Sequence, residues 1–289
     1  MAERIGICAV AQTSYERAKD HQRQHEMIWE VVKQVVPEAG LSFDDIGAII
    51  TVSDDVLDAR TISDAAIGDV VGAHLRAEEK VAHDSAQAIY YVYATVVSGH
   101  ADVVLVAAHA KESQPKSRNL VTTAAFDPIF ERLFGMDYIV AAALQARAYM
   151  ERFDVPPEAI AEAVVRSRKN AAKNPKALLK EPITVDEVIA SPMLADPLHE
   201  PEVYPACDGA CALVVAKEDV AGRLCDKPVW VTGVGNCYGA FYLGDRELWR
   251  TEALEVAARR AYEMAGVSDA ATAFDLVEVS DGYAHQQLM

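Results

Sequence analysis

The chain has 289 residues, of which 51% are hydrophobic and 25% charged, and its net charge is −17 at pH 7. That balance is typical of a globular protein, and the length is sufficient for a large core in one or two domains. The strong negative charge argues against nucleic acids and anionic membranes as partners.

Cysteine usage and the apolar runs indicate a compartment. The cysteines number five, which is odd, and they lack the pattern of a disulfide framework: Cys8, Cys207, Cys211, Cys225 and Cys237. No apolar run approaches the length of a membrane span, and the N-terminus MAERIGICAV lacks an export signal. We therefore expect a cytoplasmic protein. Cys207 and Cys211 have no second pair of ligands nearby, so we expect no metal site in this chain.

The first part of the chain alternates short apolar segments with an amphipathic helix. The segment RIGICAVA at 4–11 predicts a strand, and apolar residues at helical spacing predict a helix over 25–36. A second strand is predicted over 48–52. Residues 59–75 mix small, apolar and polar residues, which favours loops and a short helix.

The stretch from Val81 to Lys111 organises the rest of the chain. Residues 86–97 are apolar or small almost all the way round, so a helix there is expected to be buried on all sides. The following run over 103–108 is typical of a strand covered on both faces. The start of a helix presents unpaired N–H groups to side chains and ligands. His83-Asp84-Ser85 is therefore the first place to look for chemistry.

The middle of the chain is predicted to be helical. A polar loop over 112–120 precedes an alanine-rich helix over 134–153 and a second helix that runs to about Ala172. The second helix ends in a basic tract that contains Arg166, Arg168, Lys169 and Lys173. We interpret this section as an inserted helical lobe.

The last part of the chain repeats the pattern of its start. Strands are predicted over 212–216, 229–234 and 274–279, with an amphipathic helix over 248–265. Strand, helix, Ala-Gly, strand and Ser-Asp recur in the same order as near the N-terminus, which indicates an internal duplication. Alternating strands and helices with a repeat predict an α/β fold with covered sheets.

These segments together resemble the thiolase superfamily, and within it the sterol-carrier and archaeal type. The motifs that carry the resemblance are SGHADVVLVAAHAK (98–111), NAAKNP (170–175), ITV (183–185), MLADPL (193–198), CDGA (207–210), TGVG (232–235) and LVEV (276–279). The resemblance implies a thiolase-like fold of duplicated α/β halves with an inserted helical loop domain. It divides the chain into an N-terminal half at 1–118, a loop lobe on the coenzyme A side at 119–211, and 212–289. That last part holds the end of an N-half strand and an incomplete C-terminal half.

Several departures from the family pattern affect the expected chemistry. The family carries a nucleophilic cysteine at the start of the buried helix, and counting back from Ser98-Gly99 places that position at Ala82. The family's His-Asp-Cys-Phe or Asn-Glu-Ala-Phe motif corresponds to residues 280–283, which read SDGY here. The family's last segment, with a Gly-His-Pro histidine and a second cysteine, has no counterpart before Met289.

Two groups of residues are candidates for catalysis. Ser85 would need an adjacent base such as His83, and the alternative is that Asp84 or Ser85 caps the helix while His83 is a loop residue. Tyr283 follows a predicted strand where the family places a group that faces the reacting carbonyl, and it can exchange a proton there. The alternative for Tyr283 is an ordinary buried tyrosine.

The resemblance also implies a substrate and partners. Arg166, Arg168, Lys169 and Lys173 are expected to meet the phosphates of coenzyme A, and the alternative is a solvated helix end. Thiolase-like aldolases cleave a β-hydroxyacyl-CoA by retro-aldol chemistry and pair with a partner built of a zinc ribbon and an OB fold. We expect a carbon–carbon lyase or thiolase-type subunit of this kind, in a homo- or hetero-oligomer formed through the strand at 101–110. The alternative is a non-catalytic scaffold subunit of an acyl-CoA acyltransferase complex.

Overall fold

The computed structural model describes residues 4–82 and 85–289, and for Ser85 the backbone alone. In chain order its strands and helices are β1 (Ile5–Gln12), α1 (Gln24–Glu38), β2 (Ala48–Ser53), α2 (Asp64–Ile67), β3 (Ala77–Ala82), α3 (Ser85–Val97), β4 (Val103–Lys111), α4 (Arg118–Thr122), α5 (Tyr138–Phe153), α6 (Pro157–Ala171), α7 (Val185–Ala190), β5 (Met193–Ala195), β6 (Leu198–His199), β7 (Asp208–Lys217), α8 (Glu218–Leu224), β8 (Val229–Val231), α9 (Glu252–Ala265) and α10 (Ala270–Ala273). Among these described residues, no helix combines the length and apolarity that crossing a membrane requires.

The chain divides into two compact units. Unit 1 comprises Met1–Pro115, Cys207–Cys237 and Val256–Ala273. Unit 2 comprises Lys116–Ala206, Tyr238–Glu255 and Phe274–Met289.

Unit 1 is built on a mixed sheet of six strands in the order β3-β2-β4-β7-β1-β8. The strands β2, β3 and β4 are parallel, whereas β7 runs antiparallel to both β4 and β1, and β8 runs antiparallel to β1. Strands β4 and β7 are neighbours in the sheet although the whole middle section of the chain separates them in sequence. That section is therefore an insertion between two strands of one sheet. The strand predicted over 212–216 is therefore confirmed, with a longer span.

Helices cover both faces of this sheet. The predicted helix at 25–36 is α1, whose buried face includes Met27, Ile28 and Val31, and it packs in one apolar cluster with alternate residues of β4 such as Leu105. The other face of β4, including Val106, packs in a second cluster with α3. Alternation along β4 therefore supplies both layers of the core, as expected for a strand covered on two sides.

Helix α3 departs from its prediction. Ala88, Val92 and Val96 are fully buried at a spacing of one turn, but Tyr90 and Tyr91 on the opposite side are each 38% exposed. The sequence predicted burial on all sides because this opposite side is apolar too. In unit 1 only the face toward the sheet is covered, so the apolar composition of α3 exceeds what this sheet buries.

The oligomer contact predicted through residues 101–110 stays a prediction, but it cannot be made by pairing at an edge of this strand. Strand β4 lies between β2 and β7 and is paired with both, so it offers no open edge for a second subunit. Among the described strands the edges of the sheet are β3 and β8. An intermolecular contact by strand pairing would have to use one of those edges.

We expect the amides of β4 to be among the slowest to exchange in unit 1. Both neighbours of β4 protect its backbone, whereas β3 has one neighbour among the described strands. Hydrogen exchange measured by mass spectrometry on peptides that cover 103–108 and 77–82 tests this difference. Equal rates for the two peptides would contradict the sheet order.

Unit 2 is mainly helical. The Asp137 carboxylate caps α5 by accepting a hydrogen bond from the Val140 amide at 2.8 Å, and Asp154 ends the helix in the left-handed conformation. Pro157 occupies the first turn of α6, where its missing N–H is not needed. Ile139, Ala142 and Ala146 of α5 are buried against Leu198, Val203 and Tyr283. The helices predicted over the middle section are confirmed, with α5 starting four residues later than expected.

The strand predicted over 274–279 is wrong. These residues have no ladder partner within the described part of the chain, and Leu276 and Val277 are 76% and 69% exposed. Alternating apolar residues favour a strand, but the strand forms only where a neighbour satisfies its backbone. The counterpart of β2 in the predicted duplication therefore exists in sequence and not as a strand of this structure.

Candidate functional site

A cavity of about 280 Å³ lies in unit 2 between the end of α6 and the C-terminal segment. Its walls are largely apolar and include Val164 and Leu178. The polar side chains among its lining residues are Ser167, Arg168, Tyr204, Glu202, Asp281 and Gln287. An apolar pocket with a few convergent polar groups is the usual form of a small-molecule site.

Gln287 connects the C-terminal segment to α6. Its side-chain oxygen accepts a hydrogen bond from the Arg166 guanidinium at 2.7 Å, and its amide nitrogen donates to Ser167 Oγ at 2.8 Å and to Asp281. The segment from Asp281 to Gln287 is therefore held against the basic end of α6. Arg166 stabilises this wall of the cavity through its contact with Gln287.

Tyr283 lies in this C-terminal segment and is 9% exposed. Its backbone forms an antiparallel bridge with Val203, and its ring meets the ring of Tyr204 edge-on at 5.9 Å. The residues on either side of it, Gly282 and Ala284, both line the cavity. The segment thus brings a buried tyrosine to the margin of the pocket.

A positive charge lies one ring away from Tyr283. The Arg118 guanidinium sits over the ring of Tyr204 at 3.6 Å and donates a hydrogen bond to the Tyr204 carbonyl oxygen at 2.9 Å. A cation over an aromatic face is attracted by the ring's quadrupole, so this stack fixes Tyr204 in place. Tyr204 in turn packs on Tyr283.

His285 is the titratable group next to Tyr283 along this segment. It is fully buried, its ring centroid lies 6.2 Å from that of Tyr283, and burial lowers its pKa to about 4. Its Nε2 lies 3.0 Å from Gln145 Oε1, and the same oxygen accepts a hydrogen bond from Gln286. Because that oxygen accepts, the proton of His285 is on Nε2. Nδ1 then carries a lone pair and has no hydrogen-bond partner in residues 4–82 and 85–289.

Glu202 gives the cavity a second perturbed group. Burial raises its pKa, and hydrogen bonds from the backbone and ring of His199 oppose that rise. The His199 amide donates to Glu202 Oε2 at 2.6 Å. A cluster of shifted pKa values around a cavity is a common feature of functional sites.

Comparison with known proteins shows what the chain is similar to. No protein-family model matches the chain. It is 32% identical over 190 residues to an acetyl-CoA acetyltransferase of Methanothermobacter thermautotrophicus. The aligned region makes up 65% of this chain and 49% of that protein. The chain is 34% identical over 99 residues to a steroid side-chain-cleaving aldolase of Thermomonospora curvata. This aligned region makes up 33% of this chain and 25% of that protein.

A solved structure extends the similarity to the fold. The Ltp2-ChsH2(DUF35) aldolase superposes with a TM-score of 0.72 at 21% identity, over 91% of this chain and 70% of that chain. The chain is similar in sequence to acetyl-CoA acetyltransferases, and its fold is thiolase-like. It spans about half the length of the curated relatives that it matches over most of its own length.

The predicted nucleophile position lies at the end of β3. Ala82 is the last residue of β3. His83 and Asp84 lie outside the described residues, as does the side chain of Ser85, so the catalytic role predicted for these three residues stays a prediction. Each of the five cysteines is half-buried. Burial raises the pKa of Cys8 to about 11, with Cys225 adding to the rise, which makes Cys8 a poor nucleophile.

The predicted coenzyme A residues fall into different settings. Arg168 lines the cavity, and Arg166 is engaged with Gln287. Lys169 and Lys173 are exposed at the end of α6. Their role toward phosphates is untested by the geometry, and only Arg168 borders the space where a ligand would lie.

Sequence reasoning missed Arg118, Tyr204 and Gln145 in this candidate site. Arg118 was assigned only to a polar loop, and Tyr204 follows a turn-rich stretch without periodicity. Gln145 did carry a signal, because it is a polar residue one turn from the buried Ala142 on the apolar face of α5. Such an interruption predicts a buried hydrogen bond.

Proposed function

We propose that this chain acts on acyl-CoA thioesters as a carbon–carbon lyase, cleaving a β-hydroxyacyl-CoA by a retro-aldol reaction. The observation that carries the proposal is the placement of buried Tyr283 beside a neutral His285, on the segment that lines the unit 2 cavity. The similarity to a steroid side-chain-cleaving aldolase supports the same class of reaction.

The proposed reaction requires a base and a stabilised enolate. The base removes the proton of the β-hydroxyl group, the C–O bond becomes a carbonyl, and the bond between Cα and Cβ breaks. The electron pair passes to Cα and is delocalised onto the thioester oxygen as an enolate, which is then protonated to give the shortened acyl-CoA. No covalent intermediate with the protein is needed, in agreement with the prediction that Ala82 occupies the position of the family's cysteine.

Tyr283 is the proposed acid–base group. A tyrosine has an unperturbed pKa near 10, so it needs a positive charge or a proton acceptor nearby to act as a base near pH 7. The Arg118 cation above Tyr204 supplies positive charge in this direction. His285 stays neutral because burial lowers its pKa to about 4, and its Nδ1 lone pair is the proposed hydrogen-bond acceptor that orients the Tyr283 hydroxyl.

The size and lining of the cavity suit part of the substrate. At about 280 Å³ the cavity is smaller than a typical drug-sized pocket, so we infer that it takes the pantetheine arm and not the nucleotide. Arg168 at its wall and Arg166, Lys169 and Lys173 at the end of α6 would meet the phosphates. The solved Ltp2-ChsH2(DUF35) aldolase supports a second subunit as partner, and we propose a zinc-ribbon/OB-fold protein in that role.

The experiment that tests this function follows protein mass and products together. We expect a β-hydroxyacyl-CoA to be cleaved to a carbonyl compound and a shortened acyl-CoA when the candidate partner is present, with no acyl group added to the protein. Intact-protein mass spectrometry after incubation with acetyl-CoA or acetoacetyl-CoA should likewise show the unmodified mass. A stoichiometric acyl adduct on a cysteine would contradict the lyase and indicate thiolase chemistry. No cleavage with any partner would favour the scaffold.

A further inference from the structure

Unit 1 contains a second cavity, of about 420 Å³, that the proposed lyase does not use. It lies where the loop after β1 and the start of α1 face the end of β4, and it shares no lining residue with the cavity of unit 2. The lysine, arginine and aspartate residues that line it are Lys19, Asp20, Arg23, Arg60 and Lys111. This cavity has predominantly polar walls.

The lining is cationic in a chain that is strongly anionic. Four of the charged lining residues are lysines or arginines and one is an aspartate, although the net charge of the whole chain is −17. Lys19 is paired with Glu16 at 2.8 Å and Lys111 with Asp208 at 2.7 Å. The guanidinium groups of Arg23 and Arg60 have no ion pair or hydrogen bond with any residue in the described ranges. Two planar, multidentate donors are thus available at this wall.

Helix α1 adds the positive end of its dipole. Its first residues, Gln24 and His25, line the cavity, and no side chain caps the helix through its N-cap residue Arg23. The N–H groups of Gln24 and His25 precede the first intrahelical hydrogen bonds and attract anions, although the Glu26 carboxylate, which accepts from the Arg23 amide at 2.6 Å, offsets part of this attraction.

The buried side chain of Gln24 points to a ligand independently. Gln24 is 4% exposed and lines the cavity, and Oε1 of its amide has no hydrogen-bond partner among the described residues. Its Nε2 faces His109 Nε2, which also lies 2.8 Å from the Asp58 carboxylate. A carboxylate oxygen 2.8 Å away requires a proton on His109 Nε2, and a protonated ring nitrogen cannot accept a hydrogen bond from the Gln24 NH₂ group. The amide oxygen therefore belongs toward His109, and the NH₂ group occupies the unpartnered position.

We propose that this cavity binds the phosphate group of a small phosphate ester. The guanidinium groups of Arg23 and Arg60, the Gln24 amide and the start of α1 together offer donors from several directions. A phosphate has enough acceptor oxygens to meet them all, whereas a carboxylate presents its two oxygens in one plane. The proposal uses residues other than those of the lyase site, so either proposal can fail without the other.

Inorganic phosphate is the probe for the first experiment. We expect isothermal titration calorimetry to show one saturable site on the full chain. Arg23→Met and Arg60→Met should each weaken binding about tenfold, the loss expected for one charge-assisted hydrogen bond. The matched control is Arg17→Met, which removes an exposed cation of the same loop that does not line the cavity. Circular dichroism verifies that each variant is folded.

Two further results decide the outcome. If the phosphate comes from coenzyme A, that compound should compete with inorganic phosphate, and dephospho-coenzyme A should compete less. If it comes from another ester, neither should compete, while glycerol phosphate should. The proposal is overturned if wild-type protein shows no saturable binding of phosphate, or if the Arg23→Met/Arg60→Met double variant binds as tightly as Arg17→Met.

Discussion

Replacing Tyr283 with phenylalanine is expected to lower the turnover of a β-hydroxyacyl-CoA by about a hundredfold or more, the usual contribution of a positioned acid–base group. The substitution keeps the ring, and with it the edge-on contact to Tyr204 and the burial in unit 2. Only the hydroxyl is lost, so the free energy of unfolding should change by about 1 kcal/mol. The measurement is a steady-state assay with the candidate partner present.

Tyr149→Phe is the matched control for this substitution. The Tyr149 hydroxyl donates a hydrogen bond to the Leu288 carbonyl oxygen at 2.7 Å, also within unit 2. Its loss should cost a similar amount of stability and leave turnover unchanged, because Tyr149 belongs to α5 and takes no part in the proposed proton transfer. A Tyr283→Phe enzyme that turns over at the wild-type rate would remove Tyr283 from the mechanism. Equal losses in both variants would indicate damage to unit 2 rather than missing chemistry.

The elements with strong local signals were predictable from the sequence. Helix α1 has apolar residues at helical spacing and is followed, after its last residue Glu38 and Ala39, by Gly40, whose φ of 72° is unfavourable for other residues. Strand β4 is a continuous apolar run, which only a doubly covered strand tolerates. In both cases the local pattern and the packing agree.

Elements that depend on neighbours were predicted poorly. Strand β3 reads AEEKVA and has no apolar pattern, yet it forms because parallel pairing with β2 satisfies its backbone. Residues 274–279 have the alternation of a strand and no such neighbour among the described residues. A ladder is a property of two segments, so one segment's composition decides neither case.

The candidate site was likewise predictable only where a local motif marks it. The position of Tyr283 followed from the motif that resembles the thiolase superfamily. The contacts that give it a setting are distant in sequence, since Arg118 meets a residue 86 positions away and Gln145 meets His285 across 140 positions. Local spacing carries no information about such pairs. The lowered pKa of His285 likewise results from burial, which only the packed structure defines.

Removing the carboxylate of Asp208 is expected to produce the largest loss of stability in unit 1. Asp208 is fully buried at the start of β7, and Lys111 beside it is 6% exposed. Its carboxylate accepts hydrogen bonds from Lys111 Nζ at 2.7 Å, from the Lys19 amide at 2.8 Å and from both the amide and hydroxyl of Ser113. Asp208→Ala leaves these donors, including a buried ammonium group, without their acceptor.

We expect Asp208→Ala to lower the free energy of unfolding by about 3–5 kcal/mol, the cost of breaking one partner of a buried ion pair. The double variant Asp208→Ala/Lys111→Met removes both charges and should recover part of this loss. The exposed pair of Asp219 and Arg223 provides the control, and Asp219→Ala should cost less than about 1 kcal/mol. Urea unfolding monitored by circular dichroism measures the differences.

The pH dependence of this loss provides a further check. Burial raises the pKa of Asp208, but hydrogen bonds from Lys111, Lys19 and Ser113 lower it by more than burial raises it. The pKa of Asp208 is therefore below its usual value of 3.8. A carboxylate with a lowered folded-state pKa contributes stability above its unfolded-state pKa and loses it as the pH falls through the folded value. The difference between wild type and Asp208→Ala should therefore be constant near neutral pH and shrink below about pH 4. A difference that persists unchanged in acid would show that the loss arises from packing and not from the charge.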